Sequence, residues 1–231
     1  MNVVTRNIPN ALTCCNVAAG VLSIIMASHG SAEVRGLPAY NWAWIFIGIA
    51  AVADFLDGFA ARLLHAYSEL GKELDSLCDL VSFGVAPAIL MYHALCDMAA
   101  PAWLPWCVVV IPVAGALRLA RFNIDTRQTT NFIGLPIPAN AIFWIGYSAM
   151  LLGGNLTLAA PWLALPVMII ESWLMLSPLR LFSLKFKTWG WRSNEWRWIL
   201  IVTAIVCCVT MGVSGLMWLI VAYLLYGVFS R

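Results

Sequence analysis

The chain has 231 residues, of which 62% are hydrophobic and only 10% are charged. Soluble domains average about 45–50% apolar and about 25% charged residues, so this composition excludes both a soluble globular domain and a disordered chain. A mean hydropathy of +0.87 is instead typical of a polytopic membrane protein. The net charge of only +2 gives no indication of nucleic-acid binding.

Apolar runs long enough to cross a bilayer follow one another along the chain. A hydrocarbon core of about 30 Å takes about 20 residues of helix, which predicts an all-α transmembrane bundle of about eight spans. The predicted spans are residues 10–28, 41–63, 74–96, 102–121, 136–153, 157–176, 196–212 and 215–230. The last two are short and meet at a tight turn, as in a helical hairpin. The first run lacks a small-residue cleavage pattern, so we expect no cleavable signal peptide.

The distribution of basic residues predicts the orientation of the bundle. If the N-terminus is cytoplasmic, Arg35 alone among the 13 Lys and Arg residues lies in an outer segment. The inner segments hold all the others: Arg6, Arg62, Lys72, Arg118, Arg121, Arg127, Arg180, Lys185, Lys187, Arg192, Arg197 and Arg231. Because cytoplasmic loops carry the excess of Lys and Arg, we predict that both termini are cytoplasmic. We further predict a single integral membrane domain, residues 1–231.

The longest polar stretch, residues 177–197, is basic and rich in tryptophan. It is either an interfacial anchor, since Trp and basic residues favour the headgroup region, or a contact for anionic lipid headgroups. The seven cysteines lie mostly in apolar runs and form no CxxC pair. We interpret them as small hydrophobic residues, neither disulfides nor metal ligands.

Four aspartates lie near the cytoplasmic ends of the second and third spans: Asp54, Asp57, Asp75 and Asp79. Carboxylates at membrane depth are costly and usually functional. The first two are three residues apart and the last two are four apart, so each pair shares one helix face. A short turn joins the two spans, which must therefore run antiparallel. The spacing predicts that the two acidic faces converge.

Converging carboxylates repel one another unless cations lie between them. Oxygen ligands favour Mg²⁺, Mn²⁺ or Ca²⁺ over Zn²⁺, and paired metals can clamp a phosphoryl group during in-line displacement. Arg62 can pair with a phosphate. Small residues nearby would let a bulky ligand approach: Gly58, Ala60, Ala61 and Gly71. The alternative is that the aspartates only pair with Arg62 and Lys72 at a wet helix end.

The segment from Asp54 to Asp79 reads D-x2-D-G-x2-A-R-x8-G-x3-D-x3-D. At every fixed position it resembles the signature of the CDP-alcohol phosphotransferase family. The resemblance implies a six-helix catalytic core, about residues 1–180, to which a C-terminal hairpin, about residues 196–230, is added. It also implies a homodimer in a bacterial or archaeal cytoplasmic membrane, with the active site facing the cytoplasm.

Three shorter segments are similar to the integral-membrane phosphatidylserine synthases of that family. They are residues 8–13 (IPNALT) followed by Asn16 and Gly20, residues 118–123 (RLARFN) and residues 134–139 (GLPIPA). This similarity implies transfer of the phosphatidyl group from CDP-diacylglycerol to the hydroxyl of L-serine, which yields phosphatidylserine and CMP. The resemblance ranks serine first among acceptor alcohols.

The resemblance also implies roles for individual residues. Two Mg²⁺ or Mn²⁺ ions would be held by Asp54, Asp57, Asp75 and Asp79. Asp79 would also be the catalytic base, which a barely ionised hydroxyl needs in the transition state. The residues implied for CDP-lipid binding are Asn10, Thr13, Gly58, Ala61, Arg62 and Gly71. For Asn10 and Thr13 the alternative is an ordinary role as helix caps.

The sequence gives less information about the residues that bind the acceptor alcohol than about those that bind the metal and the CDP-lipid. Arg118 and Arg121 are candidates for the serine carboxylate, because a guanidinium matches carboxylate geometry, and Asn123 would add a hydrogen bond. The alternative is that these arginines only mark the inner end of the fourth span. Glu171, an acid within an apolar stretch, either pairs with Arg180 or helps to form the acceptor pocket.

Three other functions stay open at the level of sequence. One is the same reaction with glycerol 3-phosphate or inositol phosphate as acceptor, since Arg118, Arg121 and Arg127 would suit a phosphate. A second is a divalent cation transporter, although such proteins usually show repeats and broken helices near the midplane, which are not visible here. A third is a scaffold that has lost catalysis, against which the intact aspartate signature argues.

Overall fold

The computed structural model of the chain describes residues 3–124, 132–154, 160–181, 190 and 194–229. Sequence predictions that concern residues 125–131, 155–159, 182–189 and 191–193, including Arg127 and most of the basic loop, lie outside the described residues. The described part is almost entirely helical, which confirms the predicted all-α class.

Each predicted span has a helical counterpart in the described ranges. The helices are α1 (Val3–Ser28), α2 (Ala39–Leu63), α3 (Glu69–Asp79), α4 (Ala86–Asp97), α5 (Val110–Ile124), α6 (Ile137–Gly153), α7 (Ala164–Leu176), α8 (Glu195–Met211) and α9 (Gly215–Phe229). A π-helical turn, Leu80–Val85, makes α3 and α4 continuous, and 3₁₀ turns precede α5 (Pro105–Val109), α7 (Pro161–Leu163) and α9 (Gly212–Ser214). Two short antiparallel strand pairs lie between the helices. Strand β1 (Glu33–Val34) pairs with β2 (Leu37–Pro38) in the connection from α1 to α2. Strand β3 (Phe132–Ile133), before α6, pairs with β4 (Arg180–Leu181), after α7.

Helices α1 and α2 form the most extensive helix pair. Their contact is built from small side chains, which let two backbones approach closely within a membrane. On α2 the buried positions recur every three or four residues, as a single face requires: Ala39, Ala43, Ile47, Ala50 and Ala53. The hydroxyl of Ser23 on α1 donates a hydrogen bond of 2.9 Å to the carbonyl of Ala43. The tight pairing fixes the height of α1 beside the aspartates of α2.

The third helix begins earlier than the predicted span, at Glu69 instead of residue 74. Ser68 is the N-cap, and its hydroxyl accepts a hydrogen bond of 2.9 Å from the backbone N–H of Gly71. The charged residues Lys72 and Glu73, which interrupt the apolar run in the sequence, are exposed on the first turns of this helix. The helix therefore extends the aspartate face outward from the predicted span.

Two groups of buried apolar residues hold the bundle together. One joins α1, α2, the π-helical turn and α6, and includes Ile47, Phe83 and Ile137. The other joins α4 to α7 and α9, and includes Trp144 and Met168. Helix α6 belongs to both and is buried along most of its length. Helix α8 buries only Leu200 among its described side chains, so it packs at the periphery, against α9.

Five helical runs are long and apolar enough to cross a membrane: Asn7–Ser28, Ala39–Leu63, Glu69–Asp97, Pro105–Ile124 and Glu195–Val228, the last covering α8 and α9 together. Two shorter apolar helices, Ile137–Gly153 and Pro161–Leu176, complete the set within the described residues. Large apolar side chains such as Val52, Phe55 and Val209 are exposed, as expected where helices face lipid. The number of crossings and the cytoplasmic position of both termini stay predictions.

Candidate active site

Three carboxylates meet between α2 and α3. One oxygen from each of Asp54, Asp57 and Asp75 lies within 4.8 Å of the others. The two α2 aspartates are one turn apart on one face, and the antiparallel α3 brings Asp75 opposite them. For these three residues the structure agrees with the predicted convergence of acidic faces. We call them the carboxylate cluster.

The fourth aspartate, Asp79, lies beside this cluster and is not one of its members. It is the last residue of α3, is 8% exposed, and interacts electrostatically with all three cluster carboxylates. The side-chain amide of Asn16, on α1, donates a hydrogen bond of 3.0 Å to Asp79 Oδ1. The uncharged amide of Asn16 thus holds Asp79 in place beside the carboxylate cluster.

The carboxylate cluster fits a divalent cation. Asp75 Oδ1 is buried and has no hydrogen-bond partner among the described residues. Asp57 Oδ2 accepts a hydrogen bond of 2.6 Å from the hydroxyl of Thr13. The other carboxylate oxygens of the cluster lie close together. Oxygen ligands of this kind are the ones that Mg²⁺ and Mn²⁺ prefer. The site residues therefore suit the metal that the sequence predicts.

Lys72 does not neutralise the cluster. Its Nζ donates a hydrogen bond of 2.9 Å to the backbone carbonyl of Asn123, at the end of α5. Arg62 is exposed and lies at the wall of the cavity described next. This geometry argues against the alternative in which the aspartates only pair with Arg62 and Lys72.

A cavity of about 430 Å³ opens beside the cluster. Its walls include Asp57 and Asp75 from the cluster. They also include all six residues that the family resemblance implies for CDP-lipid binding: Asn10, Thr13, Gly58, Ala61, Arg62 and Gly71. The cavity thus brings residues of α1, α2 and α3 around one space next to the acidic oxygens.

Two glycines of the signature differ in their surroundings. A Cβ added at Gly71 would lie 2.9 Å from Ser68 Oγ and 3.1 Å from Asn10 Oδ1, so α3 approaches α1 closely there. A Cβ added at Gly58 would meet no atom within 4 Å. The close packing of α3 against α1 therefore explains why position 71 is a glycine. Gly58 leaves open space on the cavity wall.

Arg118 of α5 is a second buried charged residue that interacts with Asp79. It is buried, with 8% of its surface exposed, and its Nε has no hydrogen-bond partner among the described residues. Its guanidinium lies 5.7 Å from the ring centroid of Phe122 and interacts electrostatically with Asp79 and with Tyr223 of α9. A buried guanidinium beside the candidate base is suited to bind an anionic group of an acceptor.

The other two residues predicted to bind serine make contacts between helices. Arg121 is exposed, and its Nη1 donates a hydrogen bond of 3.3 Å to the carbonyl of Leu176. The side-chain amide of Asn123 donates a hydrogen bond of 2.9 Å to Ser76 Oγ on α3. Their roles in binding serine stay predictions.

Asn16 is the site residue whose role the sequence interpretation missed. It is fully buried, and its backbone carbonyl accepts a hydrogen bond of 3.0 Å from Ser82 Oγ in the π-helical turn. The signal was present: Asn10, Thr13 and Asn16 recur every three residues along a largely apolar helix and share a face. The π-helical turn itself has no such signal.

Comparison with known proteins agrees with this geometry. The family model for the CDP-alcohol phosphatidyltransferases matches residues 6–170. The chain belongs to the CDP-alcohol phosphatidyltransferase family. The matched residues contain the carboxylate cluster, Asp79, the cavity walls and Arg118, and they end before α8 and α9.

Among curated relatives, the chain is similar to a CDP-diacylglycerol–serine O-phosphatidyltransferase of Mycobacterium leprae, with 37% identity over 62% of this chain and 47% of the relative. It is 36% identical to an archaetidylserine synthase of Methanothermobacter thermautotrophicus over 71% of this chain and 67% of the relative. A CDP-diacylglycerol–serine O-phosphatidyltransferase of Bacillus subtilis is 38% identical over 57% of this chain and 69% of the relative. The match thus spans about half of the first relative and about two thirds of the other two.

Proposed function

We propose that this phosphatidyltransferase moves the phosphatidyl group of CDP-diacylglycerol to the hydroxyl of L-serine, giving phosphatidylserine and CMP. The observation that carries the proposal is the cavity that joins the carboxylate cluster to all six residues implied for CDP-lipid binding. The names of the three relatives, each a synthase of a serine phospholipid, support serine as the acceptor.

The metal belongs to this proposal as well. Asp54, Asp57 and Asp75 would hold Mg²⁺ or Mn²⁺, and Asp79, which interacts electrostatically with all three, would complete a second position. When bound, such ions supply charge stabilisation for the diphosphate and its transition state. Two ions between four carboxylates would also remove the repulsion that the cluster otherwise suffers.

Different residues of the cavity walls would bind different parts of the nucleotide lipid. Gly58 leaves room for the ligand beside the helix backbone, and Arg62 is exposed at the wall, where it can reach a phosphate. Thr13 holds Asp57 by a hydrogen bond and so fixes the orientation of one cluster carboxylate. Binding in this way would fix the lipid-side phosphorus in front of Asp79, a positioning effect that is a large part of phosphoryl-transfer catalysis.

Asp79 would act as the general base. With Asn16 donating to Oδ1, the carboxylate is oriented and Oδ2 is left for the serine hydroxyl. The hydroxyl oxygen attacks the lipid-side phosphorus, its proton passes to Asp79, and the bond to the CMP oxygen breaks. Arg118, beside Asp79, would hold the serine carboxylate during this step.

Topology and assembly complete the proposal. The inner ends of α2, α5 and α7 and the N-terminal end of α3 would face the cytoplasm, because the basic residues gather there. Soluble serine would then reach Arg118 from the cytoplasm, while the lipid chains of CDP-diacylglycerol stay in the bilayer. A homodimer remains our prediction from the family resemblance.

The test is CMP release by the purified protein in detergent with CDP-diacylglycerol and Mg²⁺ or Mn²⁺. L-serine, glycerol 3-phosphate and inositol phosphate are supplied separately. Release that depends on serine supports the proposal. Release that depends only on a phosphorylated acceptor would keep the site but reject serine. Uptake of divalent ions into proteoliposomes without lipid turnover would favour a transporter.

The lipid part of the donor is a second variable, because one relative is named an archaetidylserine synthase. Ether-linked and ester-linked CDP-lipids should therefore be compared at equal surface concentration. A preference of more than tenfold would identify the native donor class without altering the acceptor assignment.

A further inference from the structure

Two buried ionisable side chains, one basic and one acidic, lie on neighbouring helices outside the carboxylate cluster. Arg118 of α5 is 8% exposed and Glu171 of α7 is 4% exposed. In the described part of the chain, Arg118 Nε and Glu171 Oε2 have no hydrogen-bond partner. Arg118 has Asp79 as a charged neighbour, whereas no charged neighbour is seen for Glu171 among the described residues. Burying an ionisable group without a partner is costly, so such groups usually pair with another charge or with a ligand.

Both residues lie on helix faces that pack into the same core. On α5 the buried residues Ile111, Ala114 and Arg118 follow one another at helical spacing. On α7 the corresponding stripe is Met168, Glu171, Ser172 and Met175. The apolar members of both stripes belong to one cluster of buried residues, and α5 is the main packing partner of α7.

The ends of the two helices fix their relative height. Arg121 Nη1 donates a hydrogen bond to the carbonyl of Leu176, which ties the last turn of α5 to the last residue of α7. Arg118 lies one turn before Arg121, and Glu171 lies five residues before Leu176. At about 1.5 Å of rise per residue, both charges lie within about two turns of the same end of the bundle.

We propose that Glu171 binds the ammonium group of the acceptor while Arg118 binds its carboxylate, so that the acceptor site selects a zwitterionic amino acid. The inference rests on the proposed transfer to serine. Arg118 interacts electrostatically with Asp79, so an acceptor held by Arg118 has its hydroxyl near the candidate base. Each of the three polar groups of serine then has a protein partner: Arg118, Glu171 and Asp79.

The same arrangement disfavours phosphorylated acceptors. Glycerol 3-phosphate and inositol phosphate carry no ammonium group, so neither can neutralise Glu171. Their phosphate would instead place a second negative group near that carboxylate, and unfavourable juxtaposition of like charges is a common source of specificity. Glu171 thus explains how a site with a buried arginine can reject phosphate esters.

The experiment compares L-serine with 3-hydroxypropionate, which keeps the hydroxyl and carboxylate and lacks the amino group. Wild-type protein should use serine at least about tenfold more efficiently, since the analogue leaves a buried charge unpaired. Glu171→Gln, which keeps the shape and removes the charge, should raise the KM for serine at least about tenfold and leave the KM for CDP-diacylglycerol nearly unchanged. The preference for serine over 3-hydroxypropionate should shrink in the variant. Glu33→Gln, at an exposed position in β1, is the matched control and should match wild type.

The outcomes separate this inference from the proposed function. If wild type releases CMP with serine but uses 3-hydroxypropionate equally well, or if Glu171→Gln changes neither the serine KM nor the preference, the inference is wrong and serine transfer stands. If wild type releases no CMP with serine, both fail. Equal use of the two acceptors by wild type overturns the inference even if Glu171→Gln does not fold.

Discussion

Gly58 offers a substitution that separates ligand binding from folding. It lies within α2, on the cavity wall, and a Cβ added there would meet no protein atom within 4 Å. Gly58→Ala should therefore cause no clash in the free protein. Alanine is favoured over glycine in a helix interior by about 1 kcal/mol, so the variant should be at least as stable as wild type.

The same methyl group should interfere with CDP-diacylglycerol, if the ligand fills the open space beside Gly58. An extra methyl in a filled site costs about 1–3 kcal/mol. At about 1.4 kcal/mol per tenfold change in affinity, the KM for CDP-diacylglycerol should rise roughly five- to 140-fold. The KM for serine should change little, because Arg118 and Asp79 lie on other helices.

The matched control is Gly48→Ala. Gly48 lies in the same helix, a Cβ added there also meets no atom within 4 Å, and it is absent from the cavity wall. The assay is the initial rate of CMP release at saturating serine and varied surface concentration of CDP-diacylglycerol, alongside thermal unfolding in detergent. A KM within twofold of wild type for Gly58→Ala would refute the placement of the nucleotide lipid in this cavity. An equal loss in Gly48→Ala would show that the effect arises in the helix.

Three further predictions concern the chemistry and the acceptor. Asp79→Asn should abolish turnover while the protein still binds CDP-diacylglycerol by isothermal titration, and a near-normal rate would reject Asp79 as the base. Asn16→Leu removes the hydrogen bond to Asp79; such bonds to charged groups are worth about 1.5–3 kcal/mol, so kcat should fall roughly ten- to 140-fold. Ser23→Ala, which removes another buried hydrogen bond of α1, should cost stability and spare kcat. Arg118→Gln should raise the serine KM more than Arg121→Gln, because Arg118 is buried beside Asp79 and Arg121 is exposed; the reverse order would exchange their roles.

Much of the site could be predicted because its information is local. Asp54 and Asp57 share a face by helical spacing alone, and the short connection to the next helix forces α3 to return antiparallel with Asp75. The composition of α1 and α2 likewise predicts apolar helices. These features depend on periodicity and on loop length, both of which a sequence displays directly.

Other features depend on contacts between distant segments. The hydrogen bond between Asn16 and Asp79 joins α1 to the end of α3, and Arg118 of α5 interacts electrostatically with Tyr223 of α9. The π-helical turn after Asp79 is formed by residues that are also compatible with an α-helix, so no local pattern marks it. Ser68 is a residue type that favours the N-cap of a helix. Because the first turn of α3 is charged, a search for apolar runs places the start of this helix too late.

Transfer to serine forms CMP and phosphatidylserine in the same step, so both products can be measured in one reaction. Purified protein receives CDP-diacylglycerol, radiolabelled L-serine and Mg²⁺ or Mn²⁺, and CMP and labelled phosphatidylserine are quantified together. We expect equal amounts of the two products, no reaction without serine, loss of both after EDTA, and recovery on adding the divalent ion back. CMP release without labelled lipid, or no release with any acceptor, would contradict it.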